Sequence, residues 1–258
     1  MCFIFVLLLI FALSACSDAS RKGDYDLIAH AGGAIDGYVY TNSAEAIKRA
    51  TEDGYRYIEL DFLFTADSVL VAAHSWDKYN EMTGYVHQGD TAPLLCEFLS
   101  RSIYSRYTPV TAEAVQSFFL ENDSIFLVVD KVSDAKVLGR YFPLLKERML
   151  VEAFSYDDYT ELIDEGYYRV MFSCMADDVV SALLKHLVLY RVFLGPKIEW
   201  LVLHTSVFDK LSFRIIDALS SYKAALFTVN DTLAGIPDKY KDRVYMLYTD
   251  SLKSKKSK

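Results

Sequence analysis

Short runs of β-branched and aromatic residues alternate with longer amphipathic segments along nearly the whole chain. Strands are predicted at 26–30, 57–62, 69–73, 125–129, 149–154, 168–173, 200–204, 224–229 and 244–248. Helices are predicted at 44–51, 111–121, 133–148, 156–165, 177–189 and 208–220. Such alternation pairs strands in parallel through helical crossovers, and a count of about eight strands favours a closed (β/α)8 TIM-type barrel. A doubly wound open sheet is less favoured, because the Gly-rich phosphate turn typical of that fold is absent after the first strand.

Three parts of the chain differ in composition. Residues 1–23 are predicted to be an export segment and tether, residues 24–251 a single barrel domain, and residues 252–258 a basic tail. Within the barrel, the Tyr-rich, aperiodic stretch 75–110 is predicted to be an insertion. The net charge is −8 and the tail is the only basic run, so the composition argues against nucleic acid as a partner.

The first fifteen residues form an uncharged, apolar run. This run is shorter than the ~20 residues that span a bilayer, so a signal peptide is favoured over a membrane helix. Residues 13–16, Leu-Ser-Ala-Cys at the end of this run, resemble a bacterial lipobox, which implies an exported lipoprotein acylated at Cys16 and facing the periplasm or the exterior. No Lys or Arg precedes the apolar run, so an ordinary signal peptide and a buried N-terminal strand remain as alternatives.

Cysteines outside the export segment give little information. Cys96 and Cys174 can form one disulfide in an oxidising compartment, but their spacing predicts neither that bond nor a zinc site. The number of subunits is left open by the sequence.

Ionisable residues stand repeatedly at the ends of predicted strands. His30 ends the first strand, Glu59 and Asp61 lie near the end of the second, and His74 and Asp130 follow the third and fourth. Reactive groups of a barrel lie at the carboxyl ends of its strands, and residues two apart on a strand point the same way. Three crowded carboxylates beside two imidazoles predict a site for one divalent cation, Mg²⁺ or Ca²⁺, with acid–base partners.

Two other ionisable residues have a weaker claim on this site. Glu152 lies in the strand at 149–154, and His204 ends the strand at 200–204. For each, a place at the same rim of the barrel and a purely structural role are both open.

Several motifs of this sequence are similar to those of the glycerophosphodiester phosphodiesterase family. IAHAGG, TNSAEAI, YIELDF and LVAAHSW resemble its I-A-H-R-G, E-N-T-x-x-A, Y-I-E-x-D and V-x-H-D segments at similar spacing. FTVND and YTD, near the end of the chain, resemble its closing W-T-V-N and T-D segments. The resemblance extends over about 26–251 and is densest over 26–77.

The resemblance implies a metal-dependent phosphodiesterase on a TIM-type barrel, within the superfamily that includes phosphatidylinositol phospholipase C. His30 and His74 would be the catalytic acid–base pair, and Glu59, Asp61 and Asp130 the metal ligands. The family's third carboxylate is a Glu two residues before a Lys, whereas Asp130 directly precedes its Lys here.

Lys131 and Trp76 are predicted substrate contacts. The prediction for Lys131 assumes that it points to the face opposite Asp130, as neighbouring residues of a strand do. Trp76 begins the aromatic-rich insertion, which forms either a lid or apolar wall for a lipid or sugar substrate, or a structural hydrophobic patch.

Three positions depart from the family pattern. Ala31 replaces the Arg that follows the first His, Thr41 replaces the Glu of E-N-T, and Ser75 replaces the Asp after the second His. Loss of the Arg removes a bidentate phosphate contact. The expected substrate is therefore a small phosphodiester, or one derived from a lipid or the cell envelope, rather than a glycerophosphodiester in particular.

Two other functions are left open by the same residues. A cyclising phospholipase of the C or D type would use the same barrel, paired histidines and acidic metal site. A non-catalytic surface lipoprotein is favoured by Ala31 and Thr41, and is opposed by retention of both histidines and all three carboxylates.

Overall fold

The computed structural model describes residues 25–174, 197–210, 213–214, 217, 221–230 and 236–251. The strands are β1 (Asp26–Ala29), β2 (Tyr57–Phe64), β3 (Leu70–Ala72), β4 (Phe126–Asp130), β5 (Met149–Ala153), β6 (Val170–Cys174), β7 (Trp200–His204), β8 (Lys223–Phe227) and β9 (Val244–Thr249). The helices are α1 (Ala44–Glu52), α2 (Trp76–Met82), α3 (Leu95–Ser100), α4 (Ala112–Glu121), α5 (Ala135–Tyr141), α6 (Tyr156–Asp164) and α7 (Asp238–Lys241).

Eight of these strands close into a parallel barrel. The order is β1-β9-β8-β7-β6-β5-β4-β2, and β2 pairs with β1 to complete the ring. Every neighbouring pair around the ring is parallel. The predicted TIM-type barrel is confirmed, and the carboxyl ends of all eight strands meet at one rim, as in other barrels of this class.

Small polar residues begin the helices that follow the strands. Ser43, Thr111 and Ser155 each accept a hydrogen bond from a backbone N–H of the first turn of α1, α4 and α6. Such caps satisfy amides that have no partner inside the helix, so these helices begin where the sequence predicts. The helix predicted at 133–148 is shorter: Asp134 caps α5, which ends at Tyr141, and only a 3-10 turn follows at Lys146–Arg148.

β3 is not a strand of the barrel. It runs antiparallel to β2, with Phe62 opposite Ala72 and Phe64 opposite Leu70. The alternation of strands and helices predicts parallel pairing, and that prediction is wrong here because only a tight turn separates β2 from β3, too short for a crossover. The resulting hairpin brings the chain back to the barrel rim, where the Ala73 amide donates to the Asp61 carbonyl at 2.9 Å.

Apolar side chains fill the barrel in a layer below the rim. They alternate along each strand with residues that pack outward against the helices. The interior layer contains Ile28, Val128, Leu150, Met171, Val202, Ala225, Met246 and Tyr248. Because side chains alternate with a period of two, the residues two positions further along these strands also point inward, and they form the polar rim of the barrel.

The insertion at 75–110 has a small hydrophobic core of its own. The buried residues of that core, with β3 beneath it, are Val71, Ala73, Trp76, Tyr79, Met82, Phe98, Ile103 and Tyr107. Tyr79 stacks on Phe98 at 4.8 Å and donates a hydrogen bond to its carbonyl at 2.7 Å. The segment is therefore a packed subdomain with two short helices, α2 and α3, beside the barrel.

Other predictions are settled or left open by the described residues. Cys96 is exposed, Cys174 is buried and both are free thiols, so they do not form the disulfide that the sequence allowed. In the part of the chain that the structure describes, no helix has the length and apolar character to cross a bilayer. Four predictions concern residues outside the described ranges. They are the export segment at 1–23 with Cys16, the basic tail at 252–258, the helix at 177–189 and most of the helix at 208–220.

Candidate active site

Three carboxylates meet at the carboxyl end of β2 and β4. Glu59 and Asp61 project inward from β2, and the parallel register places Asp61 directly opposite Asp130 of β4. One oxygen atom from each of the three residues lies within 4.8 Å of the others. Glu59 and Asp61 are almost completely buried, so their charges are removed from water. The structure thus brings together the three predicted metal ligands.

This crowding changes the ionisation of the cluster. Burial, reinforced by Asp61 and Asp130, raises the pKa of Glu59 well above its usual range. Burial and Asp61 raise the pKa of Asp130 to about 7. Burial also acts to raise the pKa of Asp61, but hydrogen bonds from His74 and Asn42 hold it below its usual value. Without a cation, crowding and burial therefore favour the protonated forms of Glu59 and Asp130, whereas Asp61 stays ionised.

The donor set of the cluster fits a divalent cation. Glu59 Oε2 accepts a hydrogen bond from the Ala31 amide at 2.6 Å, whereas Glu59 Oε1 is buried and has no hydrogen-bond partner among the described residues. A buried acceptor without a donor is costly unless a cation or water satisfies it. Carboxylate oxygens are the ligands that Mg²⁺ and Ca²⁺ prefer.

Both predicted catalytic histidines are held through the same ring nitrogen. His30 Nδ1 lies 2.8 Å from Asp250 Oδ1, and His74 Nδ1 lies 3.0 Å from Asp61 Oδ1. When a carboxylate accepts a hydrogen bond from Nδ1, the Nε2 atom is left to accept or donate a proton at the substrate. His30 directly follows the barrel strand β1, whereas His74 lies two residues after the end of β3, which is not a barrel strand.

Asp250 was not assigned by sequence reasoning, although it lies in the YTD segment. Its Oδ2 accepts a hydrogen bond from Asn230 Nδ2 at 2.7 Å, and its amide donates to Asn230 Oδ1 at 2.7 Å. Burial acts to raise the Asp250 pKa, but the bonds from His30 and Asn230 keep it below its usual value. Asp250 is therefore an ionised partner that orients His30.

Asn42 is a second residue that sequence reasoning did not assign. It is fully buried; its Nδ2 donates to Asp61 Oδ2 at 3.0 Å and its Oδ1 accepts from the Asp61 amide at 3.1 Å. These two bonds fix the orientation of the Asp61 carboxylate. The only signal was its place in the TNSAEAI segment, next to the Ser43 cap.

The backbone after β1 is bent tightly around this site. Ala31 has a φ of 49° and Asn42 a φ of 47°, and the Asn42 amide donates to the Ala31 carbonyl at 3.1 Å. Ala31 is completely buried and Thr41 is 1% exposed. The two positions where the family carries Arg and Glu are therefore neighbours in space. Both carry small uncharged side chains that are almost completely buried.

Lys131 lies at the site for a different reason from the one that the sequence suggested. It follows the last residue of β4 and has a φ of 68°, so it does not continue the alternation of the strand. The turn directs its amino group to within 3.8 Å of Asp61 Oδ1. The position agrees with a phosphate contact, and that role stays a prediction.

Trp76 lies in the hydrophobic core of the insertion. Its indole is 8% exposed and packs edge-on against Tyr79 and Phe98 in the core of the insertion. Little of its surface is available to a ligand. Its predicted contact with substrate is not tested by these positions.

Glu152 and His204 differ in their surroundings. Glu152 lies inside the barrel, where Tyr248 Oη donates to its Oε1 at 2.5 Å. Burial and Asp130 raise the pKa of Glu152 well above its usual range, which favours the neutral acid form of this side chain. His204 is exposed at the end of β7, with its Nδ1 2.7 Å from Ser206 Oγ. Glu152 is therefore close to the carboxylate cluster, whereas His204 is exposed to solvent at the end of β7.

One aromatic residue, Tyr40, contacts the rings of both histidines. The Tyr40 ring centroid lies 4.8 Å from that of His30 and 4.6 Å from that of His74. Sequence reasoning gave this residue no role, because nothing in the pattern around it shows that the loop turns back over the barrel.

Comparisons with known proteins agree with this geometry. A sequence model of the Glycerophosphoryl diester phosphodiesterase family matches residues 32–162, just over half of the chain. No curated protein matches the sequence.

Solved structures share the fold at low sequence identity. A glycerophosphodiester phosphodiesterase from Thermotoga maritima superposes with a TM-score of 0.63 at 15% identity, over 88% of this chain and 95% of its own. One from Parabacteroides distasonis gives 0.62 at 19%, over 88% and 92%. A phosphodiesterase from Oleispira antarctica, solved with the product sn-glycerol-3-phosphate, gives 0.58 at 19%, over 87% and 92%. These likenesses show the shared fold, and the family match establishes that the chain belongs to the glycerophosphoryl diester phosphodiesterase family and is a phosphodiester hydrolase of that type.

Proposed function

We propose that this protein hydrolyses a phosphodiester in a reaction that depends on a divalent cation, with His30 and His74 as the acid–base pair. The observation that carries the proposal is the pairing of each histidine with a carboxylate beside the cluster of Glu59, Asp61 and Asp130. Two oriented imidazoles at an acidic centre are what general acid–base catalysis on a diester requires.

Glu59, Asp61 and Asp130 are the residues that would hold the cation, Mg²⁺ or Ca²⁺. When bound there, a cation supplies positive charge to the non-bridging phosphate oxygens and lowers the energy of the charge that develops on them. Asn42 holds one Asp61 oxygen, and the Ala31 amide holds one Glu59 oxygen. These contacts fix the carboxylates before the substrate arrives, which lowers the cost of ordering them.

The histidines divide the proton transfers. We assign His30 as the base that takes a proton from the attacking water, because the ionised Asp250 stabilises the imidazolium that forms. His74 then acts as the acid that protonates the leaving alkoxide. Its Nδ1 is held by Asp61, so its Nε2 carries the proton toward the substrate.

Positive charge for the phosphate is limited at this site. Ala31 and Thr41 contribute none, and Lys131 is the nearest lysine to the cluster among the described residues. A site with one flexible ammonium group in place of a bidentate guanidinium binds phosphate as a point charge. We therefore propose that the substrate is a small or envelope-derived diester, recognised largely through its alcohol groups.

The test is turnover by the full-length protein in detergent. Glycerophosphocholine and bis(p-nitrophenyl) phosphate are supplied with Mg²⁺, Ca²⁺ or EDTA, and products are identified by ³¹P NMR. We expect turnover that EDTA abolishes, and a loss of about 10²–10⁴-fold in His30→Ala and His74→Ala. His87→Ala, in the exposed 3-10 turn of the insertion, is the matched control and should keep wild-type activity.

Each other outcome would point elsewhere. Unchanged activity in His30→Ala refutes the assignment of the base. A metal-dependent cyclic phosphate as the final product favours the cyclising lyase. Absence of turnover, together with no cation bound in a calorimetric titration, favours a non-catalytic protein.

We further propose that the protein is anchored to a bacterial membrane through an acylated Cys16 and faces the periplasm or the exterior. The apolar run that ends in Leu-Ser-Ala-Cys supports this placement. Cells grown with labelled palmitate should transfer label to the wild-type protein and not to Cys16→Ser. Equal labelling of both proteins would contradict acylation at this cysteine.

A further inference from the structure

Tyr40 is in contact with the rings of both proposed catalytic histidines. Its ring is nearly perpendicular to His30, at 80°, and tilted by 59° from His74. In the proposed mechanism one histidine takes a proton from the attacking water and the other protonates the leaving alcohol. A side chain that contacts both histidine rings therefore lies beside the path between the attacking and leaving groups.

The ring is held in place from several sides. Its hydroxyl lies near the side chain of Thr228, which directly follows β8. Burial, with Asp250 and Asp61 nearby, raises the pKa of the Tyr40 phenol, so it stays neutral. Its φ of 60° is a left-handed conformation that bulky residues rarely adopt. Such a conformation persists only where the surroundings impose it, and it is concentrated at functional sites.

The aromatic ring of Tyr40 is the part of this side chain that contacts both histidines. The neighbouring positions Ala31 and Thr41 are buried and uncharged. Tyr40 thus offers an aromatic surface beside the histidines, and neither Ala31 nor Thr41 adds a charge next to it. Aromatic surfaces favour flat or apolar partners through stacking and edge-to-face contacts.

We propose that Tyr40 determines specificity by packing against a ring-bearing alcohol group of the substrate, so that the enzyme prefers diesters and monoesters that carry such a group over those with a small alkyl group. The inference rests on the proposed function, because the alcohol must lie between the histidines. It narrows the substrate class to phosphate esters with a cyclic substituent.

The experiment compares ligands that differ only in the ring. The full-length protein in detergent is titrated calorimetrically with phenyl phosphate and with methyl phosphate in the presence of Mg²⁺. Turnover of p-nitrophenyl phenyl phosphate and p-nitrophenyl methyl phosphate is measured in parallel, each divided by its rate of uncatalysed hydrolysis. The variants are Tyr40→Phe, which keeps the ring, and Tyr40→Asn, which removes it but accepts a left-handed backbone.

We expect the wild-type protein to prefer the phenyl ligand by about twofold to tenfold, the range of an aromatic contact. Tyr40→Phe should keep this ratio, and Tyr40→Asn should bring it close to one. A wild-type ratio near one, or a ratio unchanged in Tyr40→Asn, overturns the proposal. Absence of turnover with any diester refutes the proposed function alone, because the ratio of the two dissociation constants still tests Tyr40. If Tyr40→Asn does not fold, the wild-type ratio and Tyr40→Phe decide.

Discussion

The pair formed by Asp250 and His30 gives the sharpest prediction. In Asp250→Asn the carboxylate is replaced by an amide of nearly equal size, so packing is kept while the charge is lost. The two side chains are 10% and 13% exposed, and Nδ1 lies 2.8 Å from Oδ1, so solvent screens this interaction little. A hydrogen bond to a charged group contributes about 1.5–3 kcal/mol, which corresponds to a loss of about 10–150-fold in kcat.

The contacts of Asn230 place the expected value at the upper end. Asn230 Nδ2 donates to Asp250 Oδ2, so the new amide must turn its oxygen toward Asn230. Its NH₂ group then faces His30 Nδ1 and donates to it. The imidazole is forced into the tautomer that carries its proton on Nε2, and that tautomer cannot act as a base.

The measurement is kcat for the best diester found, with saturating cation, for the wild-type protein and Asp250→Asn. Asp134→Asn is the matched control, because Asn caps a helix as well as Asp does and α5 lies outside the site. A decrease below threefold in Asp250→Asn, with circular dichroism unchanged, would refute the role of Asp250 and weaken the assignment of His30 as base. An equal decrease in the control would show a general effect of lost charge.

Three further predictions concern the buried carboxyl groups and the first loop. Asp130 has a pKa near 7 without a cation, so cation binding should release protons, and the affinity for the cation should fall about tenfold for each pH unit below 7. Calorimetry in two buffers of different ionisation enthalpy measures the proton release. An affinity that does not depend on pH would contradict this prediction. Glu152 has a raised pKa in the folded state, so in EDTA its contribution to stability is complete below about pH 4.5 and is lost as pH rises through the folded pKa. Glu152→Gln should remove that part of the pH dependence of Tm. Glu152→Ala should lower the free energy of unfolding by about 1–3 kcal/mol, because the Tyr248 hydroxyl loses its hydrogen-bond acceptor. Equal Tm values for the two variants would be evidence against a buried neutral acid. Ala31→Arg should not restore a phosphate contact. It should instead lower the free energy of unfolding by about 3 kcal/mol or more, because Ala31 is fully buried at a positive φ. A variant that resists urea as well as the wild type does would show that the loop can open.

The period of two along the strands explains which parts of the site could be predicted. Glu59, Asp61 and Asp130 have the same parity as the apolar residues that fill the barrel, so a correct strand assignment already directs them inward. His30 follows from the same rule on β1. For this reason the predicted cluster appears in the structure as a group.

The remaining residues depend on backbone conformations that the sequence does not reveal. Tyr40, Asn42 and Lys131 are non-glycine residues with positive φ, and each turns a side chain toward the centre against the usual preference. Asp250 is 220 residues from His30, and only closure of β9 onto β1 brings them together. The antiparallel direction of β3 depends on the tight turn after β2, which a count of strands does not detect.

The order of strands around the barrel also divides the ring into two arcs of four strands that differ in their part in the chemistry. The reacting groups come from one continuous arc, β9, β1, β2 and β4, with β3 beside it. The opposite arc, β5 to β8, closes the ring and contributes no member of the proposed acid–base pair or cation ligands. Loops after β5, β6 and β7 can therefore change in length and composition without disturbing proton transfer, whereas the loop after β8 carries Asn230, which holds Asp250. A lineage of such enzymes can acquire new substrates by varying one side of the molecule while the chemistry on the other side is inherited intact.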